Sequence, residues 1–278
     1  MRRSCFLFAI VLTVLVTSRS NAQSSGSAVN YTNRAIARYA EGDLDGAIAD
    51  LDIAIAFDPS YAVAFYNRGR AQHDKRNLES AIADYSRAIA LDPLLAQPYN
   101  NRCAARQEKG ELDAAIADCT KAIEINPGLA DAYSNRGNVR QLKADLDGAI
   151  ADFKRAIEIN PRLAEAYYNR GIARYRKGDF DGAISDYDRS IKINSRYTEA
   201  YCNRGAARRG KGDIDGAIAD YTAAININPS HTLAYLNRGL ALMLKGKPTE
   251  ARLDFELCLK LDRTLEPLLG KRIKTIRH

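Results

Sequence analysis

Apolar and small residues recur along this chain at steps of three and four, and the whole arrangement returns every thirty-four residues. The cycle is easiest to read between Thr198 and His231. Ile214, Ala217, Ile218, Tyr221, Ala224 and Ile225 fall on one face of a helix. Ahead of them Tyr201 and Gly205 sit four apart on a shorter helical face. Gly212 breaks the first helix, and Asp213 is placed to accept hydrogen bonds from the free amides that open the second. Asp215 adds negative charge in the first turn, where the helix dipole favours it. Pro229 ends the second helix, because the residue before a proline is pushed away from helical angles. Each cycle therefore predicts a helical hairpin with a tight turn, and Gly205 and Ala217 leave little side chain where its two helices cross closely.

Near-copies of this cycle run from Ala28 to Leu265 without insertion or deletion, opening at Ala28, Ala62, Ala96, Ala130, Ala164, Thr198 and Thr232. A fixed period of this size marks stacked repeats. Tyr201, Gly205, Gly212, Ala217, Tyr221, Ala224 and Pro229 match one known pattern, and Tyr133, Gly137, Ala149, Phe153, Ala156 and Pro161 match it again. On these residues the chain resembles the tetratricopeptide repeat (TPR) family, with Tyr where that family most often has Trp. The resemblance implies an all-α, right-handed superhelical solenoid: seven helix-turn-helix repeats over residues 28–264 and a capping helix over 265–278. Several repeats depart from the pattern. Ala35 and Cys103 replace the close-contact Gly, Arg76 and Ala144 the turn Gly, and Ser195 and Arg263 the terminal Pro.

Residues 1–22 stand outside the period. Arg2 and Arg3 precede an apolar run from Cys5 to Val16, followed by Ser20, Asn21 and Ala22. This reads as a secretory signal peptide cleaved after Ala22, so the expected location is periplasmic or secreted. The run is shorter than the ~20 residues that span a bilayer. Residues 23–27 form a short polar lead. Loss of Arg2, Arg3 and Arg19 lowers the net charge from +7 to +4. Lys271, Arg272, Lys274 and Arg277 against Glu266 supply most of what remains, leaving the repeats nearly neutral. A nucleic-acid partner, which needs a broad basic surface, is not expected. In the tail, Leu265, Leu268, Leu269, Ile273 and Ile276 form one helical stripe, either a cap on the last repeat or, with its basic charge, a contact for anionic lipid.

Each first helix carries Asn-Arg after its aromatic residue, at Arg34, Arg68, Arg102, Arg136, Arg170, Arg204 and Arg238. Each second helix carries an Asp, at Asp50, Asp84, Asp118, Asp152, Asp186, Asp220 and Asp254. The resembling family usually has Leu and an aromatic at these two places. In an antiparallel hairpin the two positions come level, which predicts an ion pair inside each repeat. The other reading is a column of Arg exposed for an acidic partner.

The resemblance also implies that first helices line a concave face that holds a peptide or a partner's helix. Rotation of 100° per residue from the close-contact Gly puts the Asn before each Arg on that face, including Asn67, Asn101, Asn135, Asn169 and Asn203. These amides either hold a peptide main chain or bond neighbouring helices and set repeat geometry. Inner-face residues that vary between repeats are the source of any sequence preference: Tyr66, Arg70, Asn138, Tyr168, Tyr175, Arg176 and Arg209 among them. The last repeat has a wholly apolar inner face, Leu233, Leu236, Leu240, Met243 and Leu244, a seat for the tail helix or for a hydrophobic partner. Some TPR proteins clamp chaperone C-termini with Lys; Thr32, Tyr66 and Asn100 stand at that place here, which argues against this role.

His73, His231 and His278 are scattered, so neither a metal site nor any cofactor is expected. There is no Gly-rich phosphate loop, no nucleophile elbow and no distinguished acid and base pair, which argues against an enzyme. Cys103 and Cys119 fall on facing helices of one repeat, close enough for a disulfide in an oxidising compartment, or for two unlinked buried thiols. Cys202 and Cys258 look distant and unpaired. The expected role is a protein-interaction scaffold in a cell envelope, with a protein or peptide partner. Membrane contact is expected only through an uncleaved signal or the basic tail. The alternatives are a carrier of glycan or lipid, and a self-assembling structural protein.

Overall fold

A computed structural model describes residues 26–275, and among them there is no strand. Helix α1 covers residues 26–40. It is followed by α2 (Leu44–Phe57), α3 (Ala62–Asp74), α4 (Leu78–Leu91), α5 (Ala96–Glu108), α6 (Leu112–Ile125) and α7 (Ala130–Leu142). Then come α8 (Leu146–Ile159), α9 (Ala164–Arg176), α10 (Phe180–Ile193), α11 (Thr198–Gly210), α12 (Ile214–Ile227), α13 (Thr232–Leu244) and α14 (Pro248–Leu261). A 3-10 turn at Arg263–Leu265 leads into α15 (Glu266–Thr275). The odd-numbered helices from α3 to α13 begin where the period places each repeat. At the start, helix already covers Gly26 and Ser27, which the pattern assigns to the polar lead. The expected signal peptide and its cleavage site lie outside the described residues.

The chain divides into two compact units, Met1–Val139 and Arg140–His278. In the first, α3 packs on α4 and α5 on α6, while α2 meets α3 and α4 meets α5. The second repeats this with α9 on α10, α11 on α12 and α13 on α14. Hydrogen bonds between paired helices join residues 16, 12 and 8 apart, as in Arg170–Asp186, Arg174–Asp186 and Arg174–Gly182. Separations that shrink towards the turn mean that the two helices run antiparallel.

Local chemistry sets the ends of the helices. Asp43, Asp145, Asp179 and Asp213 each accept a hydrogen bond at 2.9 Å from the amide three residues on. The turn residue ahead of the cap has positive φ, +86° at Gly212. At the far end Asn or Asp adopts extended angles and its side chain closes a turn over the next residues. Asn194 Oδ1 accepts from the Arg196 amide at 3.1 Å, and Asp262 Oδ1 from that of Thr264 at 2.9 Å. These are the two repeats whose proline is replaced by Ser195 and Arg263, so the side-chain turn holds the geometry without it.

The core is thin, and its tightest point recurs sixteen residues apart in each hairpin. A Cβ added to Gly69 meets the Tyr85 ring at 2.7 Å, and one on Gly171 meets Tyr187 at 2.6 Å. Gly205 stands in the same relation to Tyr221, and Gly239 to Phe255. Where the glycine is lost its partner shrinks: Ala35 packs in one cluster with Leu51. In the third repeat the pair is Cys103 and Cys119, joined as a disulfide with Cα atoms 5.5 Å apart. Cys202 and Cys258 are free and buried, but they are not distant from one another: both belong to the core cluster that also holds Tyr235 and Phe255. Their helices, α11 and α14, flank α13.

The tail caps that same cluster. Leu269 and Ile273 are buried in it, while Leu268 is 53% exposed, so only part of the expected stripe faces inward. Helix α15 packs on α14. It does not cover the inner face of α13, where Leu233, Met243 and Leu244 are 58%, 40% and 66% exposed. The described residues of the tail therefore leave Leu233, Met243 and Leu244 uncovered, while Leu236 and Leu240 of the same face pack against the cluster that holds Leu269 and Ile273; Ile276 lies outside the described residues.

Two measurements check these features. Arg76 and Ala144 hold φ of 65° and 63° without being glycine, so Arg76→Gly and Ala144→Gly should each stabilise the protein by about 1 kcal/mol in urea denaturation. Reducing the Cys103–Cys119 bond, which closes a 16-residue separation, should cost about 3 kcal/mol, read as a lower urea midpoint with reductant present.

Candidate functional site

The Asp of each second helix is buried, and the Arg of the first grips it with two nitrogens. Arg170 Nε and Nη2 donate to Asp186 at 2.9 and 2.6 Å, and Arg68 does the same to Asp84 at 2.9 and 2.7 Å. The same two-point contact joins Arg34–Asp50, Arg102–Asp118, Arg204–Asp220 and Arg238–Asp254. Parallel donors matched to a carboxylate make this the strong form of the interaction. Each guanidinium also lies against the aromatic ring three residues earlier, as Arg204 does at 5.3 Å from Tyr201 and Arg136 at 5.7 Å from Tyr133. Asp152 is buried, and Arg136 also donates to Thr120 Oγ1 at 3.1 Å.

A second arginine, four residues later, reaches the same carboxylate. Arg106 meets Asp118 at 2.7 Å, Arg140 meets Asp152 at 2.8 Å, and Arg174 and Arg208 meet Asp186 and Asp220 at 2.9 Å. Arg38 lies 3.3 Å from Asp50. Sequence reasoning missed these residues, although their four-residue offset from the first Arg recurs in five repeats and was there to be read. The first Arg also reaches the preceding repeat: Arg68 bonds Asp52, Arg204 bonds Asp188, and Arg102 bonds Ser86 Oγ. These contacts consume the arginine column, which therefore offers no row of exposed charge to an acidic partner; Arg102, Arg170 and Arg204 are largely covered.

The hydrogen bond from Arg34 holds the Asp50 carboxyl below its ordinary range. Its folded pKa is depressed, so the stability it adds is present above about pH 4, the unfolded value, and is lost as pH falls through the folded one. Burial pushes the Cys202 and Cys258 thiols up to about 12, leaving them protonated and unreactive. No group of three or more potential metal ligands occurs among the described residues.

The inner-face amides are occupied by neighbours. In the first unit Asn101 Nδ2 donates to the Tyr66 hydroxyl at 3.4 Å, and Asn135 Nδ2 donates to Asn100 Oδ1 at 3.0 Å. Asn67 is buried and bonds the Val63 carbonyl at 2.8 Å in its own helix. In the second unit Asn203 Nδ2 donates to the Tyr168 hydroxyl at 3.0 Å. Asn138 and Asn169 are engaged as well. Asn101, Asn135 and Asn203 therefore brace successive first helices, the second of the two roles open to these amides. Arg70 lies 4.5 Å from the Tyr39 ring and 5.9 Å from that of Tyr66.

Three sequence candidates remain at an open surface in the second unit. Tyr175, at the end of α9, packs on Phe180, and Arg176 beside it is exposed. Arg209, on α11, makes no hydrogen bond or ion pair with a described residue. Tyr175 and Arg209 edge a groove of about 380 Å³ floored by Gly210, Leu240, Met243 and Leu244. It is an open apolar trough with one cation and one phenol on its rim, suited to holding a side chain and a charge and lacking any nucleophile or acid and base pair.

Family models described as TPR repeat match residues 37–75, 143–178 and 207–246. Those described as tetratricopeptide repeat match residues 62–93, 96–129, 164–197 and 233–265. No curated protein matches the chain. Among solved structures the chain is similar to MamA, with 28% identity and a TM-score of 0.55 over 58% of this chain and 95% of that one. It is similar also to YrrB, "a TPR protein with an unusual peptide-binding site", with 24% identity and a TM-score of 0.56 over 67% of this chain and 97% of that one. For pilF of Pseudomonas aeruginosa identity is 17% and the TM-score 0.69, over 76% and 96% of the two chains.

The ion pairs predict a measurable coupling. Asp186→Ala strands two arginines beside a site that is 2% exposed and should cost about 3–5 kcal/mol, more than Arg170→Ala. The double mutant should recover at least about 1 kcal/mol of the summed losses in chemical denaturation; strict additivity would refute the pairing.

Proposed function

The chain belongs to the tetratricopeptide repeat family, and from that premise we propose that it is a non-enzymatic scaffold that binds a protein or peptide partner. The observation that carries this reading is the groove between Tyr175, Arg209 and the apolar side chains Leu240, Met243 and Leu244 of α13. Tyr175 and Arg209 line it, and neither makes a hydrogen bond with a described residue. The family resemblance supports the reading, because first helices are the ones whose side chains its members turn to a ligand. A signal-like segment at residues 1–22 and the Cys103–Cys119 disulfide support export into an oxidising compartment. The partner is then a protein of the cell envelope.

The test uses the whole chain in its own cell, with a photoreactive amino acid placed at Arg209 or at Tyr175. Lys154, an exposed residue of α8, is the control site. Irradiation should yield a discrete adduct with one protein at the groove positions and none at Lys154. Mass analysis of the recovered chain should show a new N-terminus following Ala22. Equal labelling at all three sites, or none at the groove, would count against the scaffold reading.

A further inference from the structure

A contact that spans thirty-five residues recurs near the ends of the odd-numbered helices. In the first unit the Tyr39 hydroxyl bonds Asp74, and His73 Nε2 lies 2.9 Å from Glu108 Oε1. In the second, Arg176 Nη1 donates to the Gln141 carbonyl at 3.1 Å. Each ties one repeat to the next and uses up a polar group on the ligand-facing side. Continuing the same step, Tyr175 falls opposite Gly210, and Arg209 opposite Leu244. Neither of those side chains can bond. Tyr175 and Arg209 thus lack the rung that Tyr39, His73 and Arg176 have, their polar ends have no hydrogen-bond partner among the described residues, and both line the groove.

What the groove offers is specific. Arg209 is a permanent cation whose planar donors match a carboxylate. The Tyr175 hydroxyl can add a second hydrogen bond. Beside them Leu240, Met243 and Leu244 form an apolar bed, and Met adapts its shape to what it meets. Gly210 takes no side chain because the Phe180 ring lies 3.0 Å from where its Cβ would stand. We propose, resting on the scaffold reading above, that this groove docks a peptide segment in which an acidic side chain stands within two residues of a large apolar one. The carboxylate pairs with Arg209 and Tyr175, and the apolar side chain seats on Leu240, Met243 and Leu244. Within the chain, the basic residues Lys271, Arg272, Lys274 and Arg277 do not supply the acid, and Glu266 belongs to α15, which packs on α14.

A random dodecapeptide library on phage, panned against the whole chain and against Arg209→Glu, tests the assignment. The unaltered protein should enrich Asp or Glu within two positions of Leu, Ile, Met or Phe, and Arg209→Glu should exchange that acid for Lys or Arg. A synthetic peptide from the first selection should lose at least about tenfold in affinity on Arg209→Gln. Replacing its acid by the amide should then have little further effect. Arg209 makes no hydrogen bond or ion pair with a described residue, so both variants should melt with the unaltered protein, which circular dichroism verifies. Enrichment without acids, or the same motif from Arg209→Glu, overturns this site and leaves the scaffold reading in place. Enrichment of no peptide by either protein overturns both.

Discussion

The whole chain depends on how closely two antiparallel helices approach at one point, sixteen residues apart in sequence. There a glycine of the first helix lies under an aromatic ring of the second, with a gap too small for a methyl group. One residue before it, an arginine grips a buried aspartate on the second helix. The two contacts are mutually dependent. Close approach excludes water from the carboxylate, which makes an unpaired aspartate costly there and a fully bonded one tolerable. The paired charges in turn set the rotation of the two helices, so that glycine rather than a larger residue faces the ring. The exceptions follow the same rule: Ala35 faces Leu51 instead of a ring, and Cys103 and Cys119 fill the gap covalently.

Stacking of one repeat on the next uses a different chemistry. Apolar contact between neighbouring hairpins is modest, since the buried set is rich in alanine. Polar links run across the joint instead. Arg68 and Arg204 reach carboxylates of the preceding second helix. Lys75, Lys177, Lys211 and Lys245, each just past the end of a first helix, pair with an aspartate in the first turn of the preceding second helix. Those lysines are partly exposed, so each link is individually weak. Repetition and position matter more: a cation at a helix C-terminus and an anion at a helix N-terminus are each favoured by the local dipole.

How much of this was legible in the sequence varied with the kind of interaction. Helix starts and turns were, because capping aspartates, turn glycines and prolines act over two or three residues and recur at a fixed interval. The Arg170–Asp186 type of pair was legible because both partners recur in every repeat at one separation. Arg174 and its counterparts were not seen, since an arginine near a helix end reads as a solvated residue until the buried carboxylate beneath it is placed. A disulfide between Cys103 and Cys119 could be suggested but not chosen, because spacing brings thiols together without saying whether they bond. The convergence of Cys202 and Cys258 was hidden by a long separation; only the packing of α13 between α11 and α14 brings them into one cluster. The inner-face amides illustrate the limit of a rotation argument. Helical geometry puts Asn203 on the right side, but the Tyr168 hydroxyl one repeat earlier decides what it bonds.

That limit also says where function can be read in a chain of this kind. Periodic residues, however chemically suggestive, have periodic neighbours, and evolution of a stable repeat pairs them with each other. Asn, Arg and Asp are the most conspicuous polar residues here, and those that recur at the hairpin crossing, such as Arg170 with Asp186 and Arg204 with Asp220, hold the hairpins together. A binding surface must then come from positions that break the period, where a group keeps its chemistry and loses its counterpart. Tyr175 and Arg209 satisfy that condition because Gly210 and Leu244 stand where Asp74 and Glu108 stand in the first unit. Their significance lies less in being tyrosine and arginine, of which the chain has many, than in facing a glycine and a leucine.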